Sequence, residues 1–443
     1  MATAVHGTEV LPDLEHRKQL RRAVIASTIG STIENYDFLL YSMVTGIVFA
    51  RLFFPDSDPL LGTLQAYGIF FAGFLARPIG AAIFGHYGDR IGRKHTLIVT
   101  LLMTGLATFA VGLVPSYDSI GLWGAVILIL LRMIQGIGLG GEWSGAVLLA
   151  MEWARTNKSR GFIASWPQFG SPLGLTLANL ALLGVSALSG DQFLQWGWRV
   201  PFLLSIVMVA LGLYVRLGVV ETPVFARVMA ENRVARAPSI EVFRKQPREV
   251  FLTAFARVAE QAPTYVYTAF IFTYGAMALN TSRDLLLAGL LAASILGLIW
   301  VPLAGYLSDA IGRHRMYILA ACFSSLYGFL YFALLDTKSP VMIFGAVALS
   351  LLPVMMLFGP QAALIAEAFA PRLRYSGAGM GYHLASVIAG GPAPFIATAL
   401  YAAFQSGYAI AGYILVCALI GIAATAMLTD YTNRDITRAH DHI

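Results

Sequence analysis

Long apolar runs recur along this chain, and they restrict its fold more than any other feature of the sequence. Runs of about 20 residues return between short polar breaks through most of the 443 residues. Apolar runs in soluble domains span about 4–14 residues, whereas a helix needs about 20 to cross a bilayer. Only 12% of the residues are charged, against about 25% in a soluble protein. We therefore predict a polytopic, all-α membrane protein.

Twelve transmembrane helices are predicted, and they divide the chain into two groups of six. The spans are 23–50, 62–86, 95–114, 119–142, 161–187, 198–219, 250–278, 285–307, 315–335, 340–366, 375–403 and 407–429. Two six-helix bundles are expected at 23–219 and 250–429. Residues 1–22 form a cytoplasmic N-terminal segment without a cleavable signal, 220–249 a cytoplasmic linker loop and 430–443 a cytoplasmic tail.

The placement of basic residues is an independent test of this span count. Of the 30 Lys and Arg residues, 23 fall in loops and tails on one side of the predicted membrane, 4 on the other side and 3 inside spans. The positive-inside rule requires such an asymmetry, and a wrong helix count would scramble it. We expect a bacterial inner-membrane protein with both termini in the cytoplasm. The excess of basic over acidic residues then reflects membrane topology, and no nucleic-acid partner is expected.

A ten-residue motif occurs once in each half. Residues 85–94 read GHYGDRIGRK after the second span, and residues 305–314 read GYLSDAIGRH after the eighth. The spacing indicates a duplicated six-helix unit, an architecture that places a transport site between two halves. The charged residues of each copy are expected to form a cluster that holds the cytoplasmic side shut. The predicted gating residues are Asp89, Arg90, Arg93 and Glu152 in the first half and Asp309, Arg313 and Glu367 in the second.

These motifs resemble those of the major facilitator superfamily, together with RMIQGIG at 132–138 in the fourth span. The sequences ENYDF at 34–38, FLARPIG at 74–80, GGEW at 140–143 and WGWRVPF at 196–202 resemble its metabolite:proton symporter subfamily. That subfamily includes carriers for shikimate, 2-oxoglutarate, citrate, proline and betaine. The stretch RYSGAGMGY at 374–382 is most similar to the shikimate branch. The resemblance implies two pseudo-symmetric bundles that rock about a central site.

Ionisable groups at membrane depth are costly and mark function by default. Asp37 lies about 22 Å from the inner end of the first span, and Arg132 about 20 Å from the outer end of the fourth. The resemblance implies that this acid and this arginine couple transport to protons, as an ion pair that exchanges for a proton. The alternative is a static salt bridge between two helices. Glu34, one turn before Asp37, is either a second proton carrier or a partner for a loop arginine.

Arg77 is the residue that we expect to bind the substrate, because a guanidinium forks onto a carboxylate. Pro78 follows it and is expected to open the local helix toward the cavity. The alternative is an internal ion pair of Arg77 with Glu34 or Asp37. In the second half Arg257 and Glu260 are three residues apart and are expected to pair. Further candidates for the substrate site, each of which has helix packing as its alternative role, are Tyr36, Tyr41, Trp166, Gln168, Tyr265 and His383.

The sequence predicts a secondary carrier and no enzyme, since it has neither HExxH nor GxSxG. We expect a proton-coupled symporter that imports a small organic acid, with the proton as coupling ion and no cofactor or metal. The other partner is the lipid bilayer, and a monomer is expected. The alternatives are a carrier for zwitterionic solutes and a proton-coupled exporter. Three midplane acids face three arginines, so the empty site is formally neutral unless Glu142 adds a negative charge.

Overall fold

The computed structural model describes residues 13–91, 93–151, 159–217, 238–371 and 373–434. Side chains are described over the same ranges except at 13–16, 88–91, 93–94 and 238–239. Throughout these ranges the regular secondary structure is helical and contains no strand. The all-α prediction is confirmed.

Eleven helices in the described ranges are long and apolar enough to cross a membrane. In the first half these are α1 (Arg17–Phe53), α2 (Pro59–Tyr87), α3 (His95–Leu113), α4 (Trp123–Met151), α5 (Arg160–Gly197) and α6 (Arg199–Leu217). In the second half they are α8 (Arg283–Ile311), α9 (Arg313–Asp336), α10 (Pro340–Glu367), α11 (Arg374–Phe404) and α12 (Gly407–Met427).

The remaining predicted span is helical but less apolar. It begins as Pro247–Tyr265 and continues through Val266–Phe270, Ile271–Tyr274 and Gly275–Leu279. We call this element α7. Its first part carries Arg257, Glu260 and Gln261, all buried, which lower its hydropathy. Every predicted span therefore corresponds to a helix. Two short helices, Tyr117–Ile120 and Pro238–Lys245, lie outside the spans.

The two halves meet along several helix pairs. α1 packs on α7, α2 on α11, α4 on α10 and α11, and α5 on α8 and α10. Buried aromatic and aliphatic side chains from both halves form one continuous core across these contacts. We name the end of the bundle at the α2–α3 and α8–α9 junctions the motif end. The opposite end, at the α1–α2 and α7–α8 junctions, is the distal end.

Glycines bring α2 and α4 into backbone contact. A Cβ atom at Gly136 would lie 2.0 Å from the Gly73 carbonyl oxygen, and one at Gly140 would lie 2.1 Å from the Arg77 carbonyl oxygen. Small residues commonly permit this close approach in membranes. The contact fixes the rotation of α2 and α4 about their axes, and so decides where Arg77 and Arg132 point.

Gly136→Ala is expected to destabilise the protein by about 1–3 kcal/mol, as overpacking does. Its Cβ would meet backbone, which cannot rotate away. Gly68→Ala in α2 is the matched control, because a Cβ there meets nothing within 4 Å. A helical Gly→Ala change by itself is stabilising by up to about 1 kcal/mol. Thermal unfolding of both purified variants measures the difference, and equal unfolding temperatures would contradict the close contact.

A π-helical turn in α11 positions a serine at the centre of the molecule. The turn spans Ser386–Gly390, and the Gly391 amide donates to the Ser386 carbonyl oxygen at 2.9 Å. Pro392 follows and has no N–H to donate, so the regular α-helical ladder is interrupted there. Such turns often occur at functional sites, and here the turn lies where α11 meets α7.

Candidate functional site

A cavity of about 40 Å³ lies between the two halves. Its walls come from α1, α2, α4 and α5 on one side and from α7, α10 and α11 on the other. Charged, amide and aromatic side chains alternate around it. They include Glu34, Phe38, Arg77, Trp143, Gln168, Arg257, Glu260, Gln261, Tyr265, Phe358, Tyr382 and His383. Six of the predicted substrate residues line it: Arg77, Gln168, Arg257, Glu260, Tyr265 and His383.

Two arginines, one from each half, converge on one hydroxyl group in this cavity. Arg77 Nη1 lies 3.3 Å from Ser386 Oγ, and Arg257 Nη1 lies 2.8 Å from the same atom. Both arginines are buried. Ser386 is not recognisable as a site residue in the sequence, because a single serine among small apolar residues has no pattern that marks it. The arrangement concentrates two positive charges where the halves meet.

Arg77 is held by aromatic rings and has spare hydrogen-bonding capacity. Its guanidinium carbon lies 4.0 Å from the centre of the Phe38 ring and 4.4 Å from that of Phe74. Its Nε has no hydrogen-bond partner among the described residues. The expected opening of the helix at Pro78 does not occur, since α2 is helical through that residue. A guanidinium with an unused N–H can donate to a ligand oxygen.

Arg257 is more fully engaged than Arg77. Its Nε lies 3.3 Å from Glu260 Oε2, the ion pair expected from their spacing, and 3.2 Å from Gln361 Oε1. Its Nη1 also donates to the Tyr382 carbonyl oxygen at 2.7 Å. Glu260 accepts further bonds from Gln261, Thr264 and Gln361. This network fixes Arg257 and saturates the Glu260 carboxylate.

Tyr382 lies between two flat groups. The Arg257 guanidinium carbon is 3.2 Å from its ring centre, and the Trp143 ring centre is 3.7 Å away at an interplanar angle of 13°. Two groups so close cannot share one face, so both faces of Tyr382 are covered. Trp143 Nε1 donates to Gln168 Oε1 at 2.8 Å, and Gln168 Nε2 reaches the Phe358 carbonyl oxygen of the other half at 3.3 Å.

The predicted ion pair between Asp37 and Arg132 is not formed in this structure. Arg132 Nη1 instead donates to Gln135 Oε1 at 3.0 Å, and Gln135 Nε2 donates to Thr108 Oγ1 at 2.8 Å. The Thr108 hydroxyl lies beside the Asp37 carboxylate. The Arg132 guanidinium carbon lies over the rings of Phe38 and Tyr41, at 3.9 and 4.1 Å. Aromatic packing holds this arginine, and a polar chain runs from it through Gln135 to Thr108, whose hydroxyl donates to the Thr104 carbonyl oxygen at 2.9 Å.

Glu142 does not add an unbalanced charge. It forms a buried ion pair with Arg216 at the end of α6 and lies 3.3 Å from the Thr100 hydroxyl. The expectation that Glu142 would make the centre negative is therefore wrong. Arg216 is one of the basic residues that the span count places at the cytoplasmic surface, but packing of α6 against α1 and α3 brings it inside. Glu34 lines the cavity, so the charges that face the cavity are Arg77 and Arg257 against Glu34 and Glu260.

Three predicted substrate residues do not line the cavity. The Tyr36 hydroxyl donates to the Pro201 carbonyl oxygen at 2.7 Å within the first half. Tyr41 packs on Phe49, Phe70 and Phe202. Trp166 is half-buried against Phe162 and Phe169. Each faces another side of its helix, so these three predictions are corrected to packing roles.

The second-half gating residues come together at the motif end. Arg313 binds Glu367 through Nε at 2.5 Å and Nη2 at 2.8 Å, and binds Asp309 through Nη1 at 2.9 Å. Asp309 also accepts from the backbone amides of Gly161 and Phe162 at the start of α5, at 2.9 and 2.8 Å. Arg160 Nε lies 3.0 Å from Glu367. Asp309 and Glu367 thus tie the second half to the first. The side chains of Asp89, Arg90, Arg93 and Glu152 lie outside the described residues.

Asp309→Asn is expected to shift the conformational balance toward a state that is open at the motif end. It should not change which solutes compete for transport. The asparagine side chain has a single oxygen where Asp309 has two, so it can accept only one of the two hydrogen bonds from the backbone amides of α5. It also lacks the negative charge that attracts Arg313. The accessibility of an introduced cysteine at the motif end, with and without inhibitor, measures the shift. Lys245→Gln, which removes a charge from a half-exposed pair with Glu241, is the control. A changed competition profile would place Asp309 in the solute site instead.

The cavity is also closed toward the distal end. The Tyr67 hydroxyl on α2 lies 3.1 Å from the Ala269 carbonyl oxygen and 2.9 Å from Thr273 Oγ1 on α7. Contacts between the halves therefore close the centre on both sides, and the structure is an occluded state.

Comparison with known proteins identifies the relatives of this chain. The family model described as Major Facilitator Superfamily matches residues 38–394. The chain is 39% identical to the inner membrane metabolite transport protein YhjE of Escherichia coli (strain K12), with 98% of each covered. It is 40% identical to the shikimate transporter of the same strain, with 94% of this chain and 95% of the relative covered. The proline/betaine transporter of that strain is 30% identical, with 95% and 86% covered.

A solved structure shares the fold. The proton:xylose symporter XylE bound to 6-bromo-6-deoxy-D-glucose has a TM-score of 0.75 and 17% identity, covering 95% of this chain and 98% of that one. At that identity the likeness concerns the fold alone, and it agrees with the two-bundle architecture.

Proposed function

This chain belongs to the Major Facilitator Superfamily, so it is a membrane transporter and not an enzyme, and we propose that it is a proton-coupled symporter that imports a small organic acid. The substrate class is mono- or dicarboxylates, including ring hydroxy acids of the shikimate type. The proton is the coupling ion, and the working unit is a monomer without a cofactor. The protein lies in a bacterial inner membrane, with the motif end and both termini on the cytoplasmic side and the distal end facing outward.

The observation that carries the proposal is the meeting of Arg77 and Arg257 on Ser386 Oγ. A substrate carboxylate that displaces this hydroxyl gains two guanidinium partners, one from each half. Charge-assisted hydrogen bonds to a carboxylate are about twice as strong as neutral ones. Binding there also pulls the two halves together. Binding of a carboxylate therefore also favours closure of the two halves around it.

Proton coupling follows from the charge balance of the buried centre. Three buried arginines, Arg77, Arg132 and Arg257, face three buried carboxylates, Glu34, Asp37 and Glu260, so an anion adds an uncompensated negative charge unless a carboxylate is first neutralised. Asp37 is the group that we assign to carry the proton, because both of its buried oxygens lack hydrogen-bond partners among the described residues. Proton and anion bind more tightly together than apart, as linkage requires.

A carrier for zwitterionic solutes fits these walls less well. A quaternary ammonium group needs a free aromatic face, whereas both faces of Tyr382 are covered. An ammonium group needs a free carboxylate oxygen, and the Glu260 oxygens already accept bonds from Arg257 and three other side chains, which leaves Glu34 as the carboxylate in the cavity wall for such a group. A proline/betaine transporter is nevertheless 30% identical to this chain, so proline and betaine are included in the test below. Export is the other alternative and is tested in the same experiment.

Uptake by reconstituted proteoliposomes tests the proposal. The solutes are shikimate, 2-oxoglutarate, citrate, the methyl ester of shikimate, proline and betaine, each with an inward proton gradient of about two pH units. We expect accumulation of at least one carboxylate and none of the ester, because the ester cannot satisfy the two arginines. Accumulation of betaine or of the ester, with no carboxylate transported, would refute the organic-acid proposal. Efflux from solute-loaded vesicles that is driven by the same inward proton gradient would identify a proton-coupled exporter.

A further inference from the structure

A second, larger cavity opens at the distal end of the bundle. This vestibule has a volume of about 750 Å³, within the roughly 300–1,000 Å³ range of small-molecule pockets. Thr273, which lines it, also holds the Tyr67 hydroxyl that closes the way to the central cavity. Its polar and charged lining residues are Arg51, Ser57, Thr63, Thr273, Thr281 and Arg283. The vestibule has two cations and no carboxylate in its walls.

Arg51 has an unused charge. Among the residues that the structure describes, it forms no hydrogen bond or ion pair. Of the two acids in the α1–α2 connection, Asp58 accepts from the backbone amides of Leu60 and Leu61 at 2.9 and 3.4 Å. Neither Asp56 nor Asp58 forms an ion pair with Arg51 among the described residues, so Arg51 remains available to a ligand.

Arg283 is held in place at the vestibule wall. Its Nη2 lies 2.5 Å from Ser186 Oγ, and its guanidinium carbon lies 4.0 Å from the centre of the Phe193 ring. Its partner Asp284, at 3.3 Å, has a 59% exposed side chain, so water screens that pair strongly. Arg283 therefore presents a positioned cation toward the vestibule.

Two helix N-termini add to this positive potential. α2 begins at Pro59 and α8 at Arg283, and both residues line the vestibule. The start of a helix carries about half a positive charge from its aligned peptide dipoles. These dipoles act in the same direction as the two arginines.

We propose that the vestibule is a second, weak carboxylate site, in which Arg51 and Arg283 capture the anion before the Tyr67 contact opens. The site raises the concentration of anion at the entrance of the central cavity, and so acts on the rate of capture. That its physiological occupant is the transported acid rests on the proposed function. The site itself does not depend on which solute the centre accepts.

Arg51→Gln tests the transport role. We expect KM for the best carboxylate to rise about 3- to 10-fold at low ionic strength, within the range of electrostatic steering, with kcat unchanged. The difference should vanish at high salt, because the screening length falls from about 30 Å at 0.01 M to about 3 Å at 1 M. Lys338→Asn is the control: it removes a charge at the same end, from a residue that lines a different pocket, and asparagine tolerates its positive φ of 54°. An equal effect of Lys338→Asn, or a fall in kcat alone, would overturn the proposal.

Thiol labelling tests the site without any transport. A reporter cysteine replaces Ser57 in a chain whose Cys322 and Cys417 are replaced by serine and alanine. We expect an anionic methanethiosulfonate reagent to react faster relative to a cationic one, and this ratio to fall about 3- to 10-fold after Arg51→Gln plus Arg283→Gln. Millimolar acetate should slow the anionic reagent only when both arginines are present. An unchanged ratio would exclude the vestibule site even if carboxylate uptake is found. An altered ratio without any carboxylate uptake would leave the site standing and refute the proposed function.

Discussion

Asp37→Asn is expected to abolish gradient-driven accumulation while counterflow persists. The asparagine keeps the size of the buried side chain beside Thr108 but cannot exchange a proton. One coupled proton supports about 100-fold accumulation over a two-unit pH difference, since each unit corresponds to 1.36 kcal/mol. The variant should therefore equilibrate its substrate to a ratio of about one. Accumulation ratios in proteoliposomes, with solute exchange at equal pH as the second readout, measure the effect.

Glu34→Gln is the comparison for this experiment, because Glu34 is the alternative proton carrier one turn away. If the Glu34 variant loses accumulation and the Asp37 variant keeps it, the assignment passes to Glu34. If both accumulate normally, neither carboxylate couples transport to protons. Thermal unfolding of each variant separates a loss of coupling from a loss of folding.

Arg77→Lys is expected to weaken carboxylate binding about 10- to 100-fold although it conserves charge. A lysine has no planar fork, so it cannot hold both oxygens of a carboxylate where Arg77 meets Ser386. Losing one charge-assisted bond costs about 1.5–3 kcal/mol, and each 1.4 kcal/mol is about tenfold in affinity. Binding of the best carboxylate, measured by calorimetry or thermal shift, gives the change. Tyr36→Phe is the control, because the Tyr36 hydroxyl bonds Pro201 inside the first half and not the cavity.

The same measurements between pH 8 and pH 5 carry a second signature. The affinity of the wild type for the carboxylate should increase as pH falls. A proton on Asp37 removes one negative charge from the buried centre and leaves an arginine for the substrate. Binding that is independent of pH, or undamaged in Arg77→Lys, would contradict the anion-site proposal. A zwitterionic substrate would then be the better explanation, because its binding adds no net charge to the cavity.

The cavity explains why some site residues were predicted from the sequence and others were not. Arginines and acids inside apolar runs are conspicuous, because desolvation makes an unneeded charge there expensive. Arg77, Arg257 and Glu260 were identified in this way, and all three line the cavity. Ser386, Gln361 and Trp143 were missed because their types are ordinary in helices. Trp143 and Tyr382 lay within motifs quoted for family resemblance, but nothing local assigned them to the cavity.

The sequence by itself determined the helical class, the approximate spans, the repeat and the charged residues at membrane depth. These depend on local features: an apolar run long enough for a bilayer, the side on which arginines and lysines fall, and short motifs. The tertiary structure alone decided which faces meet. Glycine contacts between α2 and α4 fix the rotation of each helix, and this rotation places Arg132 on aromatic rings and not against Asp37. A rotation of 100° per residue separates lining from packing side chains. Helices that are apolar on all sides carry too little periodicity in their sequence to specify that angle.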